Sequence, residues 1–466
     1  MPGIYVAPKG SPNGNGTPER PLDLATALSN RSPARPGATI WLRGGVYRGA
    51  FTSYLSGSSQ SPITLRQYPG ERATIDGAGN TGPPLTVNGG YAIYHGFEVV
   101  NSNPDRVRER PTGVNVLGHH VKLINLVVHD NGIGIGFWAP AIDSEIYGCV
   151  VYHNGWQGPA PDRGHGHGIY GQNAEGTKRI VDNIVFDQYG YGIHNYTQAG
   201  ELKGFHIEGN IVFNNGSAST PNDAGFPNIL VGGLRPAERI AITNNYTYYP
   251  DGIYATNIWL NYSAKNNQDV TLDGNYIAGG NSALMMSEWL RAKCVNNTFT
   301  GFEGLVGIIL PSGVPTSAYV WDNNTYYTNT STSASPFALT SQGKLTTYPF
   351  TEWSRHTGYD RNSRLIRSAT GRPTGLKIAA LPNHYEAGRA NIVVYNWDLK
   401  ERVEVDVSAA LRSGDRFEIR NARDFYGQPV LSGVYDGKPL SLPMAGPRPA
   451  PEFGAFVLMK KSERDN

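Results

Sequence analysis

Nine of the eleven histidines fall between His95 and His206. Histidine titrates nearest neutral pH and is the side chain best suited to moving protons there, so such a concentration is a candidate for acid–base chemistry. The densest stretch is Asp162-Arg163-Gly164-His165-Gly166-His167-Gly168-Ile169-Tyr170-Gly171-Gln172. Strand alternation puts His165 and His167 on one side, and the interleaved glycines let backbone or substrate approach closely. Further on, Ile193-His194-Asn195-Tyr196 and Ile258-Trp259-Leu260-Asn261 repeat the apolar–variable–small pattern of Ile169-Tyr170-Gly171. If the isoleucines point inward, Tyr170 and His194 share one outward position on neighbouring strands, and Leu230, Trp259 and Met285 continue that column. Gln172, Tyr196 and Asn261 would form a polar row one step along. A proton-transfer pair, amides and an aromatic platform suit a sugar chain, whose ring faces stack while its hydroxyls hydrogen-bond. Taken one at a time, each of these is an ordinary strand residue, because aromatic residues favour strands.

What must position them is a repeat. Apolar runs follow Gly96, Asn125, Gly148, Asn183, Asn210, Asn245, Asn275, Asn297 and Asn324, at intervals of 22 to 35 residues. A second series, beginning at Ile135 and running through Ile169, Ile193, Ile229, Ile258, Leu284 and Ile308, keeps in phase with it. Two or more short strands per period predict a parallel β-solenoid. Inward asparagines at one turn predict a ladder of amides bonded from coil to coil. The segment 21–30 has the apolar spacing of a short helix that would cover the first coil. The expected division is a right-handed parallel β-helix over 1–345, a linker over 346–370, and a small accessory antiparallel β-sandwich over 371–466 that docks over the last coil. Cys149 and Cys294, five coils apart, would lie about 24 Å from each other and stay unpaired.

Composition narrows the function classes. With 57 Gly, 32 Pro, 27 Tyr and only 17% charged residues, the chain is no helical bundle or coiled coil. A formal charge of +2 without long runs of either sign gives no nucleic-acid or membrane-surface footprint, so neither partner is expected. No stretch approaches the roughly 18 apolar residues of a membrane span. Residues 1–10 lack the features of a secretory signal. For a polysaccharide-active protein the expected location is nevertheless extracellular or periplasmic, with the signal already removed.

The opening YVAPKGSPNGNGT, followed by PGATIWLRGGVYRGAF and PITLRQYPGERATIDG, resembles the start of pectate-lyase-like right-handed β-helix proteins, especially the family 9 pectate lyases. The asparagine ladder extends the resemblance to about residue 330. The resemblance implies the fold and a carbohydrate substrate, whereas the reaction varies widely on this fold. Gly164-His165-Gly166 echoes the Gly-His-Gly of polygalacturonases, but their Asn-Thr-Asp, paired Asp-Asp and Arg-Ile-Lys are absent. The aspartate cluster and lysine base of a family 9 lyase are not evident in the central coils, so no family's catalytic set transfers residue by residue.

The leading expectation is a polysaccharide lyase acting on a uronic-acid-containing glycan, with His194 or His167 as base and Tyr170 as acid. Arg163 with Gln172 would neutralise the substrate carboxylate, and His165 belongs to the same catalytic group. Substrate would be held by Gln172, Tyr196, Trp259, Asn261 and Asp187. The alternatives are a glycoside hydrolase using a pair from Asp162, Asp187, Asp223 and Glu288, and a non-catalytic glycan-binding or tailspike-like protein. In the hydrolase alignment His129, Tyr152, Asp187 and Asn214 stack. No cofactor is expected; calcium, or a transition metal on His165, His167 and a third histidine, stays open.

Overall fold

The computed structural model describes residues 1–219, 226–329, 334–444 and 451–461. Three twelve-stranded sheets run the length of the solenoid, and each coil visits them in a fixed order. One coil, for example, contributes Lys178–Val181 to the first sheet, Ile184–Phe186 to the third and Ile193–Asn195 to the second. Among the described solenoid strands, only the final pairing of the second sheet, Phe337–Ser341 with Lys344–Tyr348, is antiparallel. This is the right-handed parallel β-helix fold. The inward Ile135, Ile169, Ile193, Ile229, Ile258 and Leu284 stack in register and are fully buried. Each such side chain contributes about 1.5–3 kcal/mol by leaving water.

Two amide ladders fix this register. In the first, Asn183, Asn210, Asn245, Asn275, Asn297 and Asn324 each donate from Nδ2 to Oδ1 of the next, at 2.9–3.2 Å. It ends on the buried carboxylate of Asp360, which accepts from Asn324 Nδ2 at 3.3 Å. The anchors expected for the earlier coils are one residue off. Gly96, Asn125 and Gly148 occupy the left-handed position just before the ladder, where Asp182, Gly209 and Asn244 stand in later coils. Gly, Asn and Asp are the residues that tolerate that backbone, so the two adjacent columns look alike in sequence. The ladder position in these early coils is apolar, as at Cys149, whose N–H meets Asn183 Oδ1. The second ladder, unforeseen, passes through Asn131, Asn154 and Gln188 and, further on, Asn215, Asn228 and Asn257.

A short helix, α1 (Leu24–Leu28), covers the first coil with Leu24, Ala27 and Leu28 buried and Asp23 as its N-cap. The stretch expected as a linker is instead structured solenoid. It contains α2 (Phe350–Thr357) and the strand Arg364–Ser368, which pairs with Thr325–Asn329 in the third sheet. Trp353 of α2 is fully buried against Phe337, and its Nε1 donates to Asp360. α2 therefore closes the end that the sandwich was expected to cover.

The C-terminal unit forms a five-stranded antiparallel sheet and a two-stranded one. It packs along the flank of the solenoid, against the outer face of the third sheet. Val127, Val150, Ile184, Phe186, Ile211 and Phe213 there meet Val393, Tyr395, Ala455 and Val457. Tyr248 stacks on Phe453 at 4.5 Å. The apolar outer positions of that sheet explain the choice, since an exposed patch of this kind needs a cover. Cys149 and Cys294 are buried and unpaired.

Replacing Asn245 by Leu removes the donor to Asn275, Ile207 and Thr243 and the acceptor for Asn210. With orphaned buried groups costing about 1–3 kcal/mol each, the variant should lose roughly 3 kcal/mol or more in urea unfolding. A change at an exposed position such as Val320→Thr should leave the midpoint within error.

Candidate functional site

On the outer face of the second sheet, Ile169–Gly171 and Ile193–Asn195 pair with Tyr170 opposite His194, and the column continues through Leu230, Trp259 and Met285 as expected. His167 reaches the same place from the turn before its strand, with its ring centroid 4.4 Å from that of His194 and 5.7 Å from that of Tyr170. Gly166 makes this possible. Its φ of +84° is left-handed, and a Cβ there would lie 2.3 Å from the Gly132 carbonyl oxygen. The reversal also sends His165 elsewhere. Its Nε2 pairs with Asp162 at 2.7 Å and its ring stacks on Trp156, so His165 does not join His167.

Around this trio aromatic rings form a continuous face. Trp138 packs on Tyr170 at 5.3 Å, and Tyr191 stacks on His194 at 4.2 Å. Tyr196 lies on the other side of His194 at 5.0 Å and leads to Tyr262 and then Trp259. Tyr262 is half exposed, which leaves a ring face open to a ligand. Arg163, exposed at the rim, holds its guanidinium 5.6 Å from the Phe226 ring, which itself packs on Tyr191.

The electrostatics follow from burial. His194 is 7% exposed, and its Nδ1, like that of His167, is shielded from solvent without a hydrogen-bond partner. Burial holds both rings neutral, well below the usual imidazole range for His194 and down to about 3 for His167, and the nearby positive charge of Arg163 adds to both shifts. Burial pushes the Tyr170 hydroxyl up, partly offset by a hydrogen bond from Gln172. The cluster thus presents neutral imidazoles beside a protonated phenol.

Two expected substrate contacts lie elsewhere. Asn261 has φ +87° and is buried; its amide bonds Ala264 N and O and Ser287 Oγ, closing a turn rather than lining the face. Asp187 sits in a left-handed turn on the third-sheet side, bonded to Asn214 and to Arg423 of the C-terminal unit. The predicted stack of His129, Tyr152, Asp187 and Asn214 is in fact His129, Tyr152, Phe186 and Phe213. Of the other hydrolase candidates, Asp162 is committed to His165 and Glu288 to Lys265. Asp223 lies outside the described residues.

Tyr191, Trp138 and Lys178 were missed. Tyr191 stands 24 residues after His167, the same step that separates Ile193 from Ile169, so the repeat could have found it. Lys178 is fully buried, and its Nζ donates to the carbonyls of Phe137 at 3.2 Å, Gln172 at 2.7 Å and Trp138. It ties the backbone under Trp138 to that under Gln172. A family 9 resemblance implies a calcium ion. Among the described residues no three His, Cys, Asp or Glu side chains are grouped to hold a metal ion, and we derive no step through one.

The fold is that of a right-handed parallel β-helix. More particularly, residues 4–139 match the Pel9A-like right-handed β-helix region. Pectate lyase L of Thermoclostridium stercorarium is 34% identical over 106 residues, 22% of this chain and 8% of that protein. Pectate lyase PEL9 of Emericella nidulans is 39% identical over 87 residues, 18% of this chain and 21% of its own. The chain thus aligns with only 8% and 21% of the length of these relatives. The structure of a GH136 lacto-N-biosidase from Eubacterium ramulus superposes with a TM-score of 0.53 at 16% identity, over 78% of this chain and 68% of the other. That likeness is one of fold. The family match stops before His167, Tyr170 and His194.

Proton uptake tests the site directly. The rings of His167 and His194 should stay neutral in NMR titrations down to pH 5. The unfolded chain binds protons at these histidines near pH 6.5 while the folded one does not, so they should lower stability as pH falls below about 6.5. In a His167→Gln/His194→Gln double variant that part of the pH slope should vanish.

Proposed function

We propose that this protein is a polysaccharide lyase that cleaves a uronic-acid-containing glycan on the outer face of its second sheet. The observation that carries this reading is the packing of two neutral, desolvated imidazoles, His167 and His194, against each other and the Tyr170 ring, with Arg163 at the rim of the same face. β-Elimination needs these parts. A base takes the proton next to the sugar carboxylate, and the electron pair forms the new C=C bond as the bond to the leaving glycosidic oxygen breaks. That oxygen receives a proton from an acid.

His194, with His167 beside it, is the base, being unprotonated across the neutral range. An approaching carboxylate would raise its basicity by favouring the imidazolium. Tyr170, protonated at neutral pH, gives its proton to the leaving oxygen, and Gln172 orients its hydroxyl. Arg163 neutralises the carboxylate as charge moves onto it. Trp138, Tyr196, Tyr262 and Trp259 stack the sugar rings to either side, and Lys178 holds the backbone beneath Trp138 and Gln172. The pectate lyases that resemble the N-terminal coils support a uronate polymer as substrate, and secretion to an extracellular or periplasmic site accords with that substrate. A hydrolase reading is weaker, since Asp162, Asp187 and Glu288 are bound to three different partners.

Incubation with pectate, alginate and glycosaminoglycans should release products with the ultraviolet absorbance of an unsaturated end on one of them. Tyr170→Phe and His194→Ala should each lower kcat by about 10²-fold or more while the β-rich circular dichroism is kept. Reducing ends without that absorbance would assign a hydrolase, and no products with retained binding would assign a glycan-binding protein.

A further inference from the structure

Away from this face, the solenoid and the C-terminal unit enclose a cleft of about 660 Å³ between them. Six of its lining residues are Lys or Arg and three are Glu. The acids are already engaged. Glu71 pairs with Arg43 at 2.8 Å, and Glu418 with Arg420 at 2.7 Å and Lys461 at 3.2 Å. Glu386 accepts from Asn125 at 2.7 Å and lies 3.4 Å from His95.

Two cations are left with unused donors. Arg389, at the start of the strand Arg389–Asn396, is only 6% exposed. Its Nη1 lies 3.8 Å from Glu386 and 3.9 Å from Met459 Sδ, but its Nε and Nη2 have no hydrogen-bond partner. On the solenoid wall, Arg66 lies over the ring of Trp41 at 5.4 Å, and its Nε is likewise buried and unpartnered. A buried guanidinium with two unused N–H groups on one edge is the arrangement that receives a carboxylate bidentately, and leaving it unmade is costly. The volume is that of a sugar-sized ligand rather than an inorganic ion. The amides of Gln67 and Asn125 and the rings of Phe425 and Tyr426, which also line the cleft, suit a hydroxylated ring.

We propose that this cleft is a second glycan site, which takes a carboxylate-bearing sugar unit through Arg389 and Arg66. It would hold the polymer on the flank while the second-sheet face acts on it, but it is defined by binding and does not depend on the chemistry at that face.

The eight tryptophans allow the two sites to be read separately. In protein labelled with 5-fluorotryptophan, Trp41 reports the cleft, and Trp138 and Trp259 report the face. Titration with galacturonate should move the Trp41 fluorine resonance, whereas galactose, without the carboxylate, should leave it in place. Sodium sulfate at equal ionic strength should displace little of the sugar. Arg389→Gln and Arg66→Gln should each weaken the Trp41-detected affinity about tenfold or more and leave the Trp138 and Trp259 responses unchanged. If the buried Arg389 variant fails to fold, the partly exposed Arg66 variant decides. A Trp41 signal that is unmoved by galacturonate, is moved equally by galactose or sulfate, or keeps its affinity in Arg66→Gln overturns the proposal. Failure of the lyase assay with a normal Trp41 response would reject the reaction and keep this site.

Discussion

A buried amide is costly without partners for its N–H and C=O groups, and along the main column of this protein the partner is the same amide in the next coil. The column from Asn183 to Asn324 holds neighbouring turns at one separation and one register. A slip of one residue would leave a whole column unsatisfied and turn every inward isoleucine outward, so alternative registers are excluded together. The column needs an acceptor where the coils stop. Asp360 provides it, held by Asn324, Tyr326, Ser363 and Trp353. Ladder, last coil and capping helix α2 therefore form one hydrogen-bonded system.

The chemistry of the second-sheet face is a consequence of that register. Tyr170 and His194 come from strands 24 residues apart, yet they are neighbours because their inward partners Ile169 and Ile193 are stacked. Burial there comes from ring packing, with Tyr191 and Tyr196 on either side of His194. The same rings that desolvate the imidazoles offer flat surfaces to a ligand, so acid–base tuning and sugar recognition share one set of side chains. Lys178 stabilises the face from inside by joining carbonyls of adjacent coils.

The C-terminal unit solves a different problem. The outer face of the third sheet is apolar and aromatic, and covering it removes a surface that would otherwise favour aggregation. Docking along the flank instead of at the end leaves the second-sheet face open, and it creates a polar cleft where the two units diverge. Arg423, reaching from this unit to Asp187, and Tyr395, donating to the Thr247 carbonyl, extend the contact across several coils.

The sequence by itself determined the solenoid, its period, the short helix over the first coil and the pairing of Tyr170 with His194. All of these rest on one regularity, the recurrence of inward apolar residues, which a coil-to-coil geometry makes visible at a distance along the chain. Alternation fails wherever the backbone turns left-handed, and that is where the reading went astray. Gly166 separates His165 from His167, Asn261 closes its own turn, and Asp187 turns left-handed just past the expected column, where Phe186 stands instead. The second ladder was hidden because Gln188 substitutes for asparagine and the spacing from Asn215 to Asn228 is only 13 residues. Tertiary structure alone decided where the C-terminal unit docks and that α2 is the cap. It alone decided that Lys178 lies under the site and that Arg389 is buried with donors unused. Each of these depends on which surfaces meet across long separations, and complementary surfaces leave no period in the chain.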